Sequence, residues 1–528
     1  MTALLRAVLS TSVATALSRI TGYVRTKVQA AVLGTGVVAN AYGVSNGIAN
    51  LIYELFLGGV LWAIFVPLLV ERMTKHGEED AQRLTNALLT LFLPLLAVVA
   101  LLGIVFAEPL VDLSTRFSDS PIPPEEAREA RELSIFFFRF FVLYIFFFGL
   151  GAILTGVLNA HRQFFLPTFV PVVNNLIAMV LFVGYALLAP RNPEAAIYLL
   201  AATTLGVAAM SLLLLPSAWR LGYKIRPVFG HPSLLPAVKL ALPVLVFTAG
   251  SIGVQFVGLL LGSSFSAVPQ LYYAFTVFSL PYGVFVIALE TALMPELSEK
   301  HARDDDDGYR ETLSFGLRTM AFIIVPSSVS LIALATPIIG LLYERGNFTP
   351  EDTVIAANIL VAYSVGLLAY AGYFLLVRAF YSRQNTKTPA LLNLVFFVMY
   401  AAVAYALSQL LGVFGLALAL SVVTAVISLF ALAAMRREIG RIDGGVLLLS
   451  LARILAAGAV MYAVAWAGAM LFGTGSNFLD RTVILTVVGS ASLAAYLGVA
   501  FLFGAEELKS VIALFRRRIG TTEDRAAE

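Results

Sequence analysis

The sequence predicts an all-α polytopic membrane protein of about fourteen transmembrane helices arranged as two pseudo-symmetric lobes, helices 1–6 and 7–12, plus two extra C-terminal helices. Three observations predict it. Hydrophobic residues make up 59% of the 528 positions and charged residues only 13%, against about 25% charge in an ordinary soluble domain. Apolar runs of about twenty residues recur along the whole chain, each enough to cross a hydrocarbon layer of roughly 30 Å as a helix. Two pairs of sequence echoes join equivalent places in the two halves. A spanning β-barrel is excluded, because it needs alternating segments of about ten residues and these runs are long and continuous.

The elements follow in order. The first apolar stretch, about residues 7–33, starts almost at Met1, carries Arg19, Arg25 and Lys27, and lacks a small-residue cleavage site, so it is expected to be a retained helix. The second, about 37–70, is dense in amides and glycines: Asn40, Asn46, Asn50, Gly43, Gly47, Gly58 and Gly59, which favour bending, close packing and polar contacts. The remaining spans lie at about 86–106, 132–158, 163–189, 196–220, 236–262, 269–298, 311–336, 352–383, 388–412, 414–437, 448–472 and 482–504. Pro281 and Gly283 predict a kink in the eighth. This gives an N-lobe over 1–225, a C-lobe over 226–440, an appendage over 441–505 and a basic tail over 506–528.

Lysine and arginine in the connections set the orientation. About 23 fall on the side holding the N-terminus against about 6 opposite, which places both termini in the cytoplasm. Arg516–Arg518 in the tail is a topology anchor beside anionic headgroups. The longest outer connection, Glu108 to Glu132, holds the Pro-rich run Ser120–Pro124, and no segment is large enough for a separate soluble domain.

Much chemistry is excluded. The chain has no cysteine, so disulfides, thiol catalysis and thiolate metal sites are absent. His76, His161, His231 and His301 all fall in expected connections. There is no phosphate-cradling glycine loop and no nucleophile beside a base, and the acidic run Asp304–Asp307 reads as a solvated face. The chain is expected to be a non-enzyme without cofactor, with membrane lipids and not nucleic acid as its surroundings.

The echoes are these. The second span ends in Phe65-Val66-Pro67 and the eighth in Leu293-Met294-Pro295; the fourth is followed by Arg162-Gln163 with Pro167, and the tenth by Arg383-Gln384 with Pro389. Both offsets are roughly 220–230 residues, so each half has six helices, both run the same way, and their axis lies along the membrane normal. Such lobes are expected to face a central cavity and to give alternating access by rocking.

Charge within a bilayer costs about 2.5–3.5 kcal/mol per residue on insertion scales, so it marks a cavity or a partner. The intramembrane charges are Arg19, Arg25, Lys27, Glu54, Arg139, Glu290, Arg378 and Arg453. Arg19 and Arg25, six residues apart, sit about 120° from eclipsed and address two walls of one space. Paired guanidinium groups suit a diphosphate; the plainer reading of Arg25 and Lys27 is snorkelling to headgroups. Glu54 is a candidate partner for either arginine, and Glu290 is expected at the interface.

Several stretches resemble the MurJ/MviN lipid II flippases of the multidrug/oligosaccharidyl-lipid/polysaccharide exporter superfamily: Ser18-Arg19-Ile20-Thr21-Gly22-Tyr23-Val24-Arg25, Phe65-Val66-Pro67, Tyr272-Tyr273-Ala274, Ala362 to Leu367, and Phe380-Tyr381-Ser382-Arg383-Gln384 through Lys387-Thr388-Pro389. The resemblance covers nearly the whole chain. It implies a two-lobed flippase in the bacterial inner membrane that moves an undecaprenyl-diphosphate-linked peptidoglycan precursor to the outer leaflet, in the company of cell-wall synthesis proteins. It also implies that Arg19 and Arg25 are cavity arginines. The chain departs from the family pattern at Asn40, where an aspartate is typical, and at Tyr53, where an arginine is. Thr276 and Ser279 replace an arginine and a glutamate, and Gly58-Gly59 replaces Glu-Gly. The candidate substrate-binding set is therefore Arg19, Arg25, Asn40, Asn50, Tyr53, Glu54, Thr276, Ser279 and Arg378.

The seventh, eleventh and twelfth spans contain no Asp or Glu, which leaves no carboxylate there for a hard cation, while membrane potential could still drive the cycle. The altered charges keep three alternatives open: a flippase for another polyprenyl-linked saccharide, a cation-coupled drug exporter relying on Glu54, and a non-transporting scaffold for cell-wall synthesis.

Overall fold

The computed structural model describes residues 2–57, 65–115, 123–224, 226–440, 444–505 and 507–508. Gly58-Gly59, most of the Pro-rich run before Pro124 and the Arg516–Arg518 tail lie outside them. Among the described residues there are helices and no strands, as a bilayer demands of a chain that must satisfy every backbone group internally.

Two compact units emerge. The first comprises the residues up to Pro269 together with Arg345–Thr349, and the second Gln270–Glu344 with the described residues from Pro350 onward. The helix that follows residue 225 packs on the second helix of the chain.

In the first unit α1 (Thr2–Leu33), α2 (Val37–Leu57), α3 (Val66–His76), α4 (Glu78–Val105), α5 (Ala107–Ser114), α6 (Pro124–Phe141), α7 (Tyr144–Ala160), α8 (Phe165–Leu188), α9 (Pro193–Ala201), α10 (Thr204–Leu212), α11 (Leu215–Arg220) and α12 (Leu234–Ser264) follow one another. The core is aromatic. Tyr42 meets Phe137, Phe141 and Phe182 edge-on at centroid distances of 5.8, 5.0 and 5.7 Å, geometry that adds about 0.5–1.5 kcal/mol per pair beyond burial. Small residues bring backbones together where lipid supplies no hydrophobic drive: a Cβ on Gly206 would stand 2.4 Å from Asn174 Oδ1. Hydroxyls act as glue, Ser45 donating to the Ser134 carbonyl at 2.8 Å.

The second unit contains most of α13 (Val268–Pro281), a π-helical turn (Tyr282–Val286), α14 (Ile287–Ala302), α15 (Asp306–Ala333), α16 (Ala335–Tyr343), α17 (Pro350–Val365), α18 (Leu367–Ser382), α19 (Lys387–Ile439), α20 (Gly444–Phe472) and α21 (Phe478–Leu502). α20 and α21 pack on each other, and α20 packs against α15. Tyr496 donates to the Phe322 carbonyl at 2.8 Å, and a Cβ on Gly458 would stand 2.8 Å from Val325.

Among the described residues, ten helices are long and apolar enough to cross a membrane, eleven when α17 and α18, bent by 49°, count as one span. The expected number was about fourteen. The difference has physical causes. α1 carries Arg19, Arg25 and Lys27 and α2 its amides, so neither is apolar enough to count; α19 counts once although Gly412, at φ 61° and ψ −142°, breaks it near residue 412. The two echoing loops share a local structure: Arg162 and Gln384 both take positive φ, 58° and 59°. The next amides, Gln163 and Asn385, bond back to Leu158 and Phe380 at 2.8 and 3.0 Å, the Schellman closure of a helix end.

Candidate functional site

In the first unit the polar residues gather along α1, α2 and their neighbours. α1 lies along α8, where Asn175 donates to the Thr21 hydroxyl at 3.1 Å and the Ser18 carbonyl at 3.4 Å; Gly22 supplies the clearance, a Cβ there standing 3.5 Å from the Asn175 amide. Thr21 and Thr26 return their protons to carbonyls one turn back, so these hydroxyls are internally consumed. This cross-brace fixes the stretch that carries Arg19 and Arg25.

Arg19 is exposed. Arg25 is half-buried, and its Nε is buried with no hydrogen-bond partner. Among the described residues no carboxylate lies within ion-pair distance of either. Glu54 does not take the partner role expected of it: it accepts a hydrogen bond from Gln255 of α12 at 2.8 Å. Asn40 is 1% exposed, with both amide atoms unpartnered, a costly state for a buried polar group at roughly 1–3 kcal/mol. Asn50 donates within its own helix to Asn46, and the ring of Tyr53 stands 4.6 Å from that of Phe148. Near the other end of α1, Lys27 sits over the Tyr23 ring at 5.1 Å.

In the second unit Thr276 and Ser279 donate to carbonyls of their own helix at 2.8 and 3.0 Å. Arg378 of α18 stands elsewhere, with its Nε 3.5 Å from Glu290 Oε2. Glu290 is only 3% exposed, because α14 packs against both α15 and α18. Tyr282, Tyr370 and Phe374 form a wall of rings beside it, with centroids 4.9–5.5 Å apart. Sequence reasoning missed Gln255 and Tyr282; a lone amide in an apolar run and the residue after Pro281 were the available signals. Among the described residues no three His, Asp or Glu side chains cluster as a metal site would need.

The fold and this distribution of charge define a multi-pass helical membrane protein. Comparison with known proteins narrows the class. The profile of the MurJ lipid II flippases matches residues 29–485. A probable lipid II flippase MurJ of Vibrio cholerae is 30% identical, covering 79% of this chain and 80% of that one. The lipid II flippase MurJ of Burkholderia cenocepacia is 28% identical over 98% and 99% of the two chains. Among solved structures, a lipid II flippase MurJ in an inward closed conformation superposes with a TM-score of 0.75 at 24% identity, covering 95% of this chain and 99% of that one. A multidrug resistance MATE family transporter of the MOP superfamily, inward-facing, gives 0.59 at 15% identity over 81% and 94%; both likenesses concern the fold. The chain belongs to the MurJ lipid II flippase family, a family of transporters and not of enzymes.

Proposed function

We propose that this protein flips lipid II, an undecaprenyl-diphosphate-linked peptidoglycan precursor, from the inner to the outer leaflet of the bacterial inner membrane. The observation that carries this reading is Arg25: a half-buried guanidinium with an unpartnered Nε and no acid beside it is a place prepared for an anion that water cannot follow. Family membership supplies the cargo class. The lobes 1–225 and 226–440 alternate access, 441–505 is an appendage, both termini lie in the cytoplasm, and cell-wall synthesis proteins are the neighbours served. Asn40 adds an amide able to serve a sugar or phosphate oxygen, in place of the family's aspartate. Tyr53 offers a ring where the family offers an arginine.

The test is depletion of the protein in its own host, with labelled lipid II assayed for exposure on the outer leaflet. Exposure is expected to fall and to return with the wild type but not with Arg25→Ala. Unchanged exposure on depletion would overturn the reading.

A further inference from the structure

The Glu290–Arg378 pair combines properties that a structural ion pair lacks. At 3.5 Å it is longer than a charge-assisted hydrogen bond of about 2.7–2.9 Å, and neither Glu290 oxygen receives a hydrogen bond of normal geometry. By contrast, Arg131 grips Asp112 with two bonds of 2.6 and 2.7 Å at the protein surface. The exposure is also lopsided: the Arg378 side chain is 55% accessible and that of Glu290 3%. A ligand can therefore reach the cation without touching the acid.

The surroundings give the acid one cation, with the Tyr282 hydroxyl beside it. From α18 come Arg378 and Tyr370, and from the π turn Tyr282. α15, which also packs on α14, brings Gly316 against Leu293 and Thr312 against Glu296, while its Arg318 is engaged by Glu507. The π turn, which follows Pro281, is a feature concentrated at functional sites in helices. A Cβ added to Gly283 within it would meet nothing within 4 Å, so that side of the turn is open.

We propose that Glu290 is an internal counter-ion that a diphosphate displaces from Arg378, and that the displaced carboxylate binds one proton. The inference rests on the lipid-diphosphate reading above and gives it a proton-linked anion site in the second unit. The step balances: the Arg378–carboxylate contact breaks, an Arg378–phosphate contact forms, and the Glu290 carboxylate plus one proton from water becomes the neutral acid. The proton is required because a carboxylate stripped of its cation in such surroundings is too costly to stay charged. The bound state thereby carries one negative charge fewer than it would if Glu290 stayed ionised.

The experiment uses the full-length protein in detergent, titrated with undecaprenyl diphosphate, with proton uptake read by an indicator dye in weak buffer and affinity read across pH. The wild type is expected to take up about one proton per bound lipid and to lose affinity by up to about tenfold per pH unit, as one linked proton requires. Glu290→Gln, of the same shape, is expected to take up fewer protons by that one and to bind more tightly at high pH; the ligand's own titration is common to both. Arg378→Gln is expected to bind weakly without the extra uptake. Equal proton uptake by wild type and a monodisperse Glu290→Gln would overturn the inference while leaving the flippase reading intact. Failure of the wild type to bind the lipid at all would overturn both.

Discussion

The two units handle buried charge in opposite ways. Around α1, Arg25 is half-buried with its Nε unpartnered and no carboxylate among the described residues within ion-pair distance, while Glu54 of α2 is committed to Gln255. In the second unit Arg378 faces Glu290 and Arg481 faces Glu344. An unpaired guanidinium is a standing cost that only a ligand relieves; a paired one is tolerable at rest and must be prised open. Within the second unit the pairs also differ. Arg481 and Glu344 approach to 2.6 Å with side chains only 9% and 15% exposed, and Arg481 donates as well to the Gly475 carbonyl at 3.1 Å. A Cβ on Gly340 would come 2.6 Å from its guanidinium carbon. That pair is a rivet, whereas Glu290 and Arg378 form a loose contact.

The largest effect should come from breaking the rivet. Arg481→Ala leaves the largely covered Glu344 without a cation, with the Thr353 hydroxyl still donating to it at 2.7 Å, at a cost of up to about 3–5 kcal/mol, and thermal unfolding in detergent should drop by several degrees. If it does not, the contrast between tight and loose pairs collapses.

Next comes Arg25→Ala. A hydrogen bond to a charged group contributes about 1.5–3 kcal/mol, so lipid II flipping in liposomes should fall at least about tenfold. Arg139→Ala should leave flipping near wild type, since Arg139 only touches exposed Glu108 at 3.4 Å, a contact of about 0–1 kcal/mol. Equal activity of the two variants would refute the placement of Arg25 at the substrate.

Asn40→Leu separates fitness for a ligand from fitness for folding. Removing an amide whose two polar atoms are both unpartnered should hold or raise stability by up to about 1 kcal/mol, while transport declines. Unchanged transport would make Asn40 a packing residue.

The smallest effect concerns Asp305, the N-cap of α15. The Gly308 amide and Lys300 hold its carboxyl below the ordinary carboxylate value. A group depressed in the folded state adds stability above its unfolded value, about 3.9, and loses it as pH falls through the folded one. Protection factors for amide exchange in the first turn of α15, corrected for the intrinsic pH dependence, should therefore fall on acidification, and Asp305→Asn should flatten that response.

Much of this was legible without coordinates. Residues such as Leu88, Phe137 and Leu376 declare a membrane helix by composition, because the bilayer acts on local hydrophobicity alone. Arg19, Arg25 and Arg378 stood out as charges in apolar runs. The burial of Glu290 against Arg378 was not legible, because whether a helical residue is covered depends on which neighbours pack at its level, and α18 lies far along the chain.

The sequence by itself thus determined the solvent of this protein, its helical class and the identity of its rare charges, because each follows from the residue and its immediate neighbours. Only the tertiary structure decided that Glu54 serves Gln255, that Asn40 and Arg25 are left wanting partners, and that Glu290 lies buried against Arg378. Pairing and burial are set by helices that meet across scores of residues, through close approaches such as Gly22 on Asn175 and Gly316 on Leu293, which no periodicity in a single segment encodes.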